Sequence, residues 1–130
     1  MSVIKVLIAD DEAAVLEIMA RKVASAGFEV ITASDGKEAW ERIQSEHPDV
    51  VILDLIMPHM DGFGVLSQLR TNPLSAKWVP VIIVSAMDEM QDMHKSFNLQ
   101  ADHYLVKPCQ IEDILKAIKL MISLIPLRNP

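Results

Sequence analysis

Several polar residues of this chain come directly after short apolar runs, where parallel strands would bring their side chains together. They are Asp10, Asp11, Asp54, Ser85 and Lys107. The acid at position 54 is unusual because it interrupts an apolar stretch that spans residues 50–57. In a parallel sheet with helices on both faces, ligands bind outside the carboxyl ends of the strands. We therefore expect three carboxylates, a hydroxyl and an ammonium group at one edge of a sheet.

This combination of groups indicates phosphoryl chemistry. Three clustered carboxylates repel one another at neutral pH, and one lysine cannot neutralise them. A hard divalent cation can, and Mg²⁺ typically takes one or two carboxylates together with waters and phosphate oxygens. A carboxylate beside Mg²⁺, with an ammonium group and a hydroxyl nearby, fits an acceptor for a phosphoryl group. We predict Mg²⁺ as the cofactor, with Mn²⁺ as an alternative ion.

Each polar residue also has an ordinary structural role. An aspartate after a strand often caps the next helix, so Asp10 or Asp11 could cap a helix that begins near Glu12. Capping does not explain two adjacent acids. It does not explain Asp54 either, because a buried carboxylate is costly unless it is paired or bound to a metal. Lys107 also follows an apolar run, and we expect Lys107 and Asp54 to form an ion pair.

The rest of the chain alternates between short β-branched runs and longer stretches of helical period. The runs are nearly continuous in apolar character, which is typical of strands covered on both faces. The predicted strands are 3–9, 29–32, 50–53, 81–84 and 103–106, and the predicted helices are 12–26, 35–46, 62–70, 88–97 and 110–124. Strict alternation predicts an α/β fold, a doubly wound parallel sheet with helices on both faces and right-handed crossovers.

Composition narrows the functional classes. The chain has 130 residues, 51% of them hydrophobic and 23% charged, which suits one globular domain and excludes a disordered chain. The formal charge is −6 and there is no basic stripe, so we predict no direct binding to nucleic acid. A single cysteine, Cys109, fits a reducing compartment. The apolar N-terminal run is too short for a signal peptide or a membrane span, and we expect a cytoplasmic protein without membrane contact.

The polar segments closely resemble those of the receiver domain of two-component response regulators, a family typified by the single-domain chemotaxis regulator. Four segments carry the resemblance, in the family's order: residues 6–12, residues 54–62, residues 84–86 and Lys107-Pro108. The resemblance covers the chain to about residue 124. It implies a flavodoxin-like receiver fold with five helices and five strands in the order 2-1-3-4-5.

The last six residues are predicted to lie outside the final helix. Pro126 and Pro130 lack the N–H group that continues a helix. We therefore assign residues 1–124 to the receiver domain and interpret residues 125–130 as a C-terminal tail or the start of a linker.

The resemblance implies a role for each residue of the predicted site. Asp54 would accept the phosphoryl group. Asp11 would bind Mg²⁺ directly and Asp10 partly through water, and the backbone carbonyl of Ile56 would be a further ligand. Lys107 would contact the phosphoryl group, and the peptide bond after it would be cis.

The resemblance also implies a switch. Ser85 would move toward the phosphoryl oxygen, and Tyr104 would turn inward and change the face made by helix 4, strand 5 and helix 5. The ordinary alternative for Tyr104 is a half-buried aromatic ring with its hydroxyl in water. The side chains of Ile56 and Met87 border the approach of water to Asp54, and their bulk predicts slow self-dephosphorylation.

The implied partners are a sensor histidine kinase or a histidine phosphotransfer protein as donor, and an output domain or target protein as recipient of the signal. The chain would be a signalling phosphoacceptor rather than an enzyme. The sequence leaves undecided whether phosphorylation leads to a homodimer. Ala117 stands where many members of the winged-helix branch carry an arginine used in such a dimer.

Two other classes of protein share part of this pattern. A haloacid-dehalogenase-type phosphatase also phosphorylates an aspartate after a strand, but it needs a second aspartate two residues later, where this chain has Ile56. It also usually needs a cap domain. A receiver-like module that binds partners without phosphorylation is the other alternative. The intact set of acids, serine and lysine argues against it, because a purely structural module has no need for unscreened carboxylates.

Overall fold

Strands and helices alternate throughout the computed structural model, which describes residues 3–72 and 77–128. The strands are β1 (Lys5–Ala9), β2 (Glu29–Ala33), β3 (Val50–Leu53), β4 (Val81–Ser85) and β5 (His103–Val106), and the helices are α1 (Ala13–Ser25), α2 (Gly36–Glu46), α3 (Gly62–Thr71), α4 (Met90–Asn98) and α5 (Ile111–Arg128). All strand pairs are parallel, in the order β2-β1-β3-β4-β5. The predicted fold class and strand order are confirmed.

The sheet has a hydrophobic layer on each face. Val6 and Ile8 of β1 pack with residues of α1 and α5, whereas Leu7 and Ala9 pack with residues of α2 and α3. Every residue of β3 and β4 is buried. Their sequences are continuous apolar runs because both faces of these strands are covered. Helix α4 is attached less firmly, since Ser96 is its one buried residue.

The end of α5 corrects one prediction. The helix continues to Arg128 with Pro126 inside it, so the prediction that residues 125–128 lie outside the final helix is wrong. Pro126 removes one backbone N–H near the end of the helix, and Arg128, two residues later, makes long-range contacts. The Arg128 guanidinium lies 4.2 Å from the centre of the Trp78 ring, and its Nη1 is 3.7 Å from Asp102 Oδ1. These contacts join the end of α5 to the segments that precede β4 and β5.

Asp102 lies at the start of β5 and joins several elements there. Its Oδ2 accepts hydrogen bonds from Arg70 Nη2 of α3 and from the backbone N–H of Val81, both at 2.8 Å. Arg70 also donates to the carbonyl oxygens of Val79 and Gln100. This network ties the end of α3 to the starts of β4 and β5, at the edge opposite the carboxyl ends of the strands. Within the described residues, no helix is long and apolar enough to cross a membrane.

Candidate functional site

The carboxyl ends of β1 and β3 bring the predicted acids together. Ala9 of β1 pairs with Leu53 of β3, so the residues that follow them, Asp10 and Asp54, lie side by side. The backbone N–H of Asp54 donates to the Ala9 carbonyl at 3.0 Å. One carboxylate oxygen from each of Asp10, Asp11 and Asp54 lies within 4.8 Å of the others. The predicted acidic cluster is therefore present in this structure.

Lys107 joins two of these acids. It follows β5, and its Nζ donates to Asp10 Oδ2 at 2.6 Å and to Asp54 Oδ2 at 2.8 Å. Burial lowers the pKa of Lys107, but the hydrogen bonds to Asp10 and Asp54 outweigh it, and the pKa is raised above the ordinary value of 10.5. The peptide bond between Lys107 and Pro108 is cis, as the resemblance implies.

The second oxygens of the two buried acids are held by backbone groups. Asp54 Oδ1 accepts from the N–H of Ile56 at 3.1 Å, and Asp10 Oδ1 accepts from the N–H of Glu12 at 2.9 Å. Glu12 is the residue that precedes α1, and no side chain caps this helix. The capping alternative for Asp11 is therefore wrong. Its carboxylate is exposed beside two buried ones.

The cluster fits a divalent metal ion. All the side-chain donors are carboxylate oxygens, which are the ligands that hard cations take in proteins. Asp10 and Asp54 are 2% and 6% exposed, and one ammonium group faces three carboxylates. A cation with two charges would offset the repulsion that remains.

The switch residues meet at the loop after β4. Ser85 is fully buried, and its Oγ accepts a hydrogen bond of 3.3 Å from the N–H of Met87. The hydroxyl of Tyr104 donates to the carbonyl of the same Met87 at 2.5 Å. Burial raises the pKa of Tyr104, and the charges of Asp92, Asp54 and Asp88 add to this effect. The alternative in which the Tyr104 hydroxyl lies in water is wrong for this structure.

The residues predicted to control water access lie on two loops at this edge. Ile56 follows Asp54 closely and is 56% exposed, and Met87 is half-buried. Ala117, by contrast, is 3% exposed and packs in the core with α1. This position faces the sheet, so it gives no information about a dimer surface.

Sequence reasoning missed the backbone around Asp54. Gly62, the first residue of α3, lies so close that a Cβ added there would be 2.3 Å from the Asp54 carbonyl oxygen. Gly36, the first residue of α2, approaches the carbonyl of Met60 in a similar way. Each glycine follows an aspartate that caps its helix, and this repeated Asp-Gly pair was the available signal.

A doubly wound sheet that gathers acids, a serine and a lysine at one edge has the architecture of a receiver domain. The family model described as response regulator receiver domain matches residues 6–119. The chain belongs to this family, whose members are signalling modules of two-component systems.

Curated relatives include proteins named as transcriptional regulators. The probable transcriptional regulator ycf27 of Guillardia theta is 39% identical over 118 residues, which cover 91% of this chain and 45% of that protein. The alkaline phosphatase synthesis transcriptional regulatory protein PhoP of Bacillus subtilis is 34% identical over 118 residues, 91% of this chain and 48% of that protein. The chain thus spans about half the length of these relatives.

Solved structures agree in fold. The receiver domain of the Francisella response regulator 1452 superposes with a TM-score of 0.85 at 32% identity, covering 92% of this chain and 96% of that one. Chemotaxis protein CheY4 of Vibrio cholerae has a TM-score of 0.86 at 29% identity, covering 92% of this chain and 99% of that one.

Proposed function

We propose that this receiver domain accepts a phosphoryl group on Asp54 from a phosphohistidine of a sensor kinase or a phosphotransfer protein. In this step the phosphorus–nitrogen bond of the donor breaks and a phosphorus–oxygen bond to an Asp54 carboxylate oxygen forms. The observation that carries the proposal is the position of Lys107 Nζ, bonded to Asp10 at 2.6 Å and to Asp54 at 2.8 Å. This ammonium group can turn from the free carboxylate to the incoming phosphoryl oxygen.

The acids that would hold Mg²⁺ are Asp10, Asp11 and Asp54, with the Ile56 carbonyl as a further ligand. When bound, Mg²⁺ would neutralise charge on the transferred phosphoryl group. The chain's own residues prepare the acceptor. The N–H of Ile56 fixes one oxygen of Asp54, and Lys107 holds the other. Each restraint orients the carboxylate before the donor arrives.

Phosphorylation would act on the loop after β4. The phosphoryl group adds about −1.5 to −2 charges and strong acceptor oxygens. The Ser85 hydroxyl now bonded to Met87 N–H can donate to one of them. Because Tyr104 is bonded to the carbonyl of Met87, movement of this loop changes the position of the tyrosine. The face of α4, β5 and α5 then differs between the two states, and an output domain or target protein binds one state better.

The domain is proposed as a signalling phosphoacceptor rather than an enzyme, acting in the cytoplasm and without direct contact to nucleic acid. The length of its curated relatives supports a role as the receiver part of a larger regulator. A homodimer on phosphorylation is compatible with this role.

The test is labelling in Mg²⁺ with acetyl phosphate or a phosphorylated histidine donor, read by mass spectrometry of peptides. Wild type should be labelled at Asp54, and Asp54→Ala should not. Asp88→Ala is a matched control, because this exposed acid lies on the neighbouring loop and should leave the label unchanged. Labelling of Asp54→Ala to the wild-type level would show that Asp54 is not the acceptor.

A wild-type protein that no donor labels would favour the second candidate, a receiver-like module that binds partners without phosphorylation. In that case the Lys107 contacts with Asp10 and Asp54 would be purely structural. Beryllofluoride separates the two cases further, because it mimics the phosphoryl group without any donor specificity. Amide shifts around Asp54 and Ser85 should follow its addition to a true phosphoacceptor.

A further inference from the structure

The start of α2 lies against residues 55–61, the loop that follows Asp54. Gly36 is the first residue of α2, and a Cβ placed there would lie 1.6 Å from the carbonyl oxygen of Met60 and 2.5 Å from its carbonyl carbon. The contact exists only because Gly36 has no side chain. The helix start is itself fixed, since Asp35 Oδ1 accepts from the N–H of Glu38 at 2.8 Å.

The opposite side of the same loop is fixed by α3. A Cβ at Gly62 would lie 2.3 Å from the Asp54 carbonyl oxygen, and the N–H of Gly62 donates to the Leu55 carbonyl at 3.0 Å. Within the loop, the N–H of Met60 donates to the Pro58 carbonyl at 2.8 Å. The loop is therefore held between the first residues of two helices.

We propose that Gly36 is a positioning residue for the metal and phosphoryl site, acting through the backbone of the 55–61 loop. This inference rests on the proposed function, because the loop contains Ile56, the residue whose N–H orients Asp54 and whose carbonyl is the proposed ligand. Glycine at position 36 allows the start of α2 to determine the position of Met60. The N–H of Met60 is bonded to the Pro58 carbonyl, so the position of Met60 limits the path of the loop backbone that includes Ile56. Nothing in the acidic cluster itself identifies this residue on α2.

The physical reason is that the neighbour of Gly36 is backbone. A side chain there must move the Met60 carbonyl from 1.6 Å to ordinary contact at about 3.4 Å, and no rotamer change can provide that space. The close approach at Gly62 prevents the loop from shifting as a whole toward Asp54. The displacement must therefore be absorbed by the residues between, which include Ile56.

Gly64 offers a matched control. It also lies near the start of a helix and also faces Met60, but a Cβ there would lie 2.7 Å from Met60 Cγ, the flexible side chain. Gly64→Ala can be accommodated by a rotation of that side chain, and it leaves the carbonyl in place. The two substitutions thus add the same methyl group against different parts of one residue.

The experiment compares wild type, Gly36→Ala and Gly64→Ala in a titration with MgCl₂, read by amide shifts of residues 54–60 and by the rise in unfolding temperature that Mg²⁺ causes. We expect Gly36→Ala to weaken Mg²⁺ binding by about tenfold or more, because loss of a residue that supports metal ligands typically has an effect of this size. The Mg²⁺ affinity of Gly64→Ala should stay close to that of wild type. Equal affinities of Gly36→Ala and wild type would overturn the inference. A wild type that does not bind Mg²⁺ would instead contradict the proposed function.

A second pair of variants decides the matter if Gly36→Ala does not fold. Asp35→Ala removes the cap that fixes the start of α2, whereas Asp35→Asn removes the same charge but keeps a capping side chain. We expect Asp35→Ala to bind Mg²⁺ more weakly than Asp35→Asn and to exchange the Met60 amide faster. Identical Mg²⁺ affinities for these two variants would refute a positioning role for the start of α2.

Discussion

Replacement of Lys107 by methionine removes a charge while it keeps an unbranched apolar chain of similar length. In the wild type, Nζ is bonded to Asp10 and Asp54, whose side chains are 2% and 7% exposed. Removing one partner of a buried ion pair costs about 3–5 kcal/mol, because the other charges stay buried and unpaired. With roughly 4 °C per kcal/mol for a domain of this size, the unfolding temperature without metal should fall by about 12–20 °C.

Mg²⁺ should restore much of the loss in Lys107→Met. In the wild type a bound ion would compete with the ammonium group for carboxylate oxygens of Asp10 and Asp54, and in the variant it would not. Mg²⁺ stabilises by binding the native state, so the increase in unfolding temperature on adding it should be larger in Lys107→Met than in wild type. Thermal melts by circular dichroism in EDTA and in graded MgCl₂ measure both effects. Lys119→Met is the control, since this lysine is exposed on α5.

The pH dependence of the same variant gives an independent check. The folded-state pKa of Lys107 is raised above 10.5, so its contribution is fully present below that pH and is lost as the pH rises through the folded value. The stability difference between wild type and Lys107→Met should therefore be constant from neutral pH to about 10 and shrink above it. A metal-free destabilisation below about 1 kcal/mol, the range of an exposed pair, would refute the reasoning. An equal response of both proteins to Mg²⁺ would refute it as well.

Three further predictions concern the switch and the lifetime of the label. Ser85→Ala should still be labelled at Asp54, but beryllofluoride should no longer shift the resonances of Tyr104; a full shift would exclude the coupling through this hydroxyl. Tyr104 is the only tyrosine, so its absorbance at 295 nm should report a pKa above the ordinary 10.0, with stability lost as the pH rises beyond that value; a titration at or below 10.0 would contradict the half-buried position of Tyr104 and its bond to the Met87 carbonyl. Ile56→Asn and Met87→Glu should each lose the phosphoryl label severalfold faster than wild type in Mg²⁺ buffer, because a polar side chain can orient the attacking water; a wild-type rate as fast as both would show that these side chains do not control access.

Much of the fold and of the candidate site is predictable from local patterns. The continuous apolar runs at β3 and β4 identify strands covered on both faces, and strict alternation with helices determines that they are parallel. Once strands are parallel, the residues after them share an edge, which is why Asp10, Asp54 and Lys107 could be expected to meet.

The features that could not be predicted depend on contacts between distant parts of the chain. The continuation of α5 past Pro126 is accompanied by contacts of Arg128 with Trp78 and Asp102, and no local rule for proline contains that information. The bond from Tyr104 to the Met87 carbonyl depends on a side-chain rotamer. The approach of Gly36 to Met60 likewise depends on how the start of α2 packs against the 55–61 loop.

The anchored end of α5 separates two places in the molecule by the length of a helix. Its 18 residues begin near the acidic cluster, shortly after Lys107, and end at the opposite edge of the sheet, where Arg128 lies near Asp102. At 1.5 Å per residue this is about 27 Å. The charge on Asp54, which salt screens within roughly 10 Å, therefore does not act directly on Arg128. A signal from the acidic cluster can reach that end of the molecule through the altered face of α4, β5 and α5 or through a displacement of α5, and the contact between Arg128 and Trp78 restrains the second route.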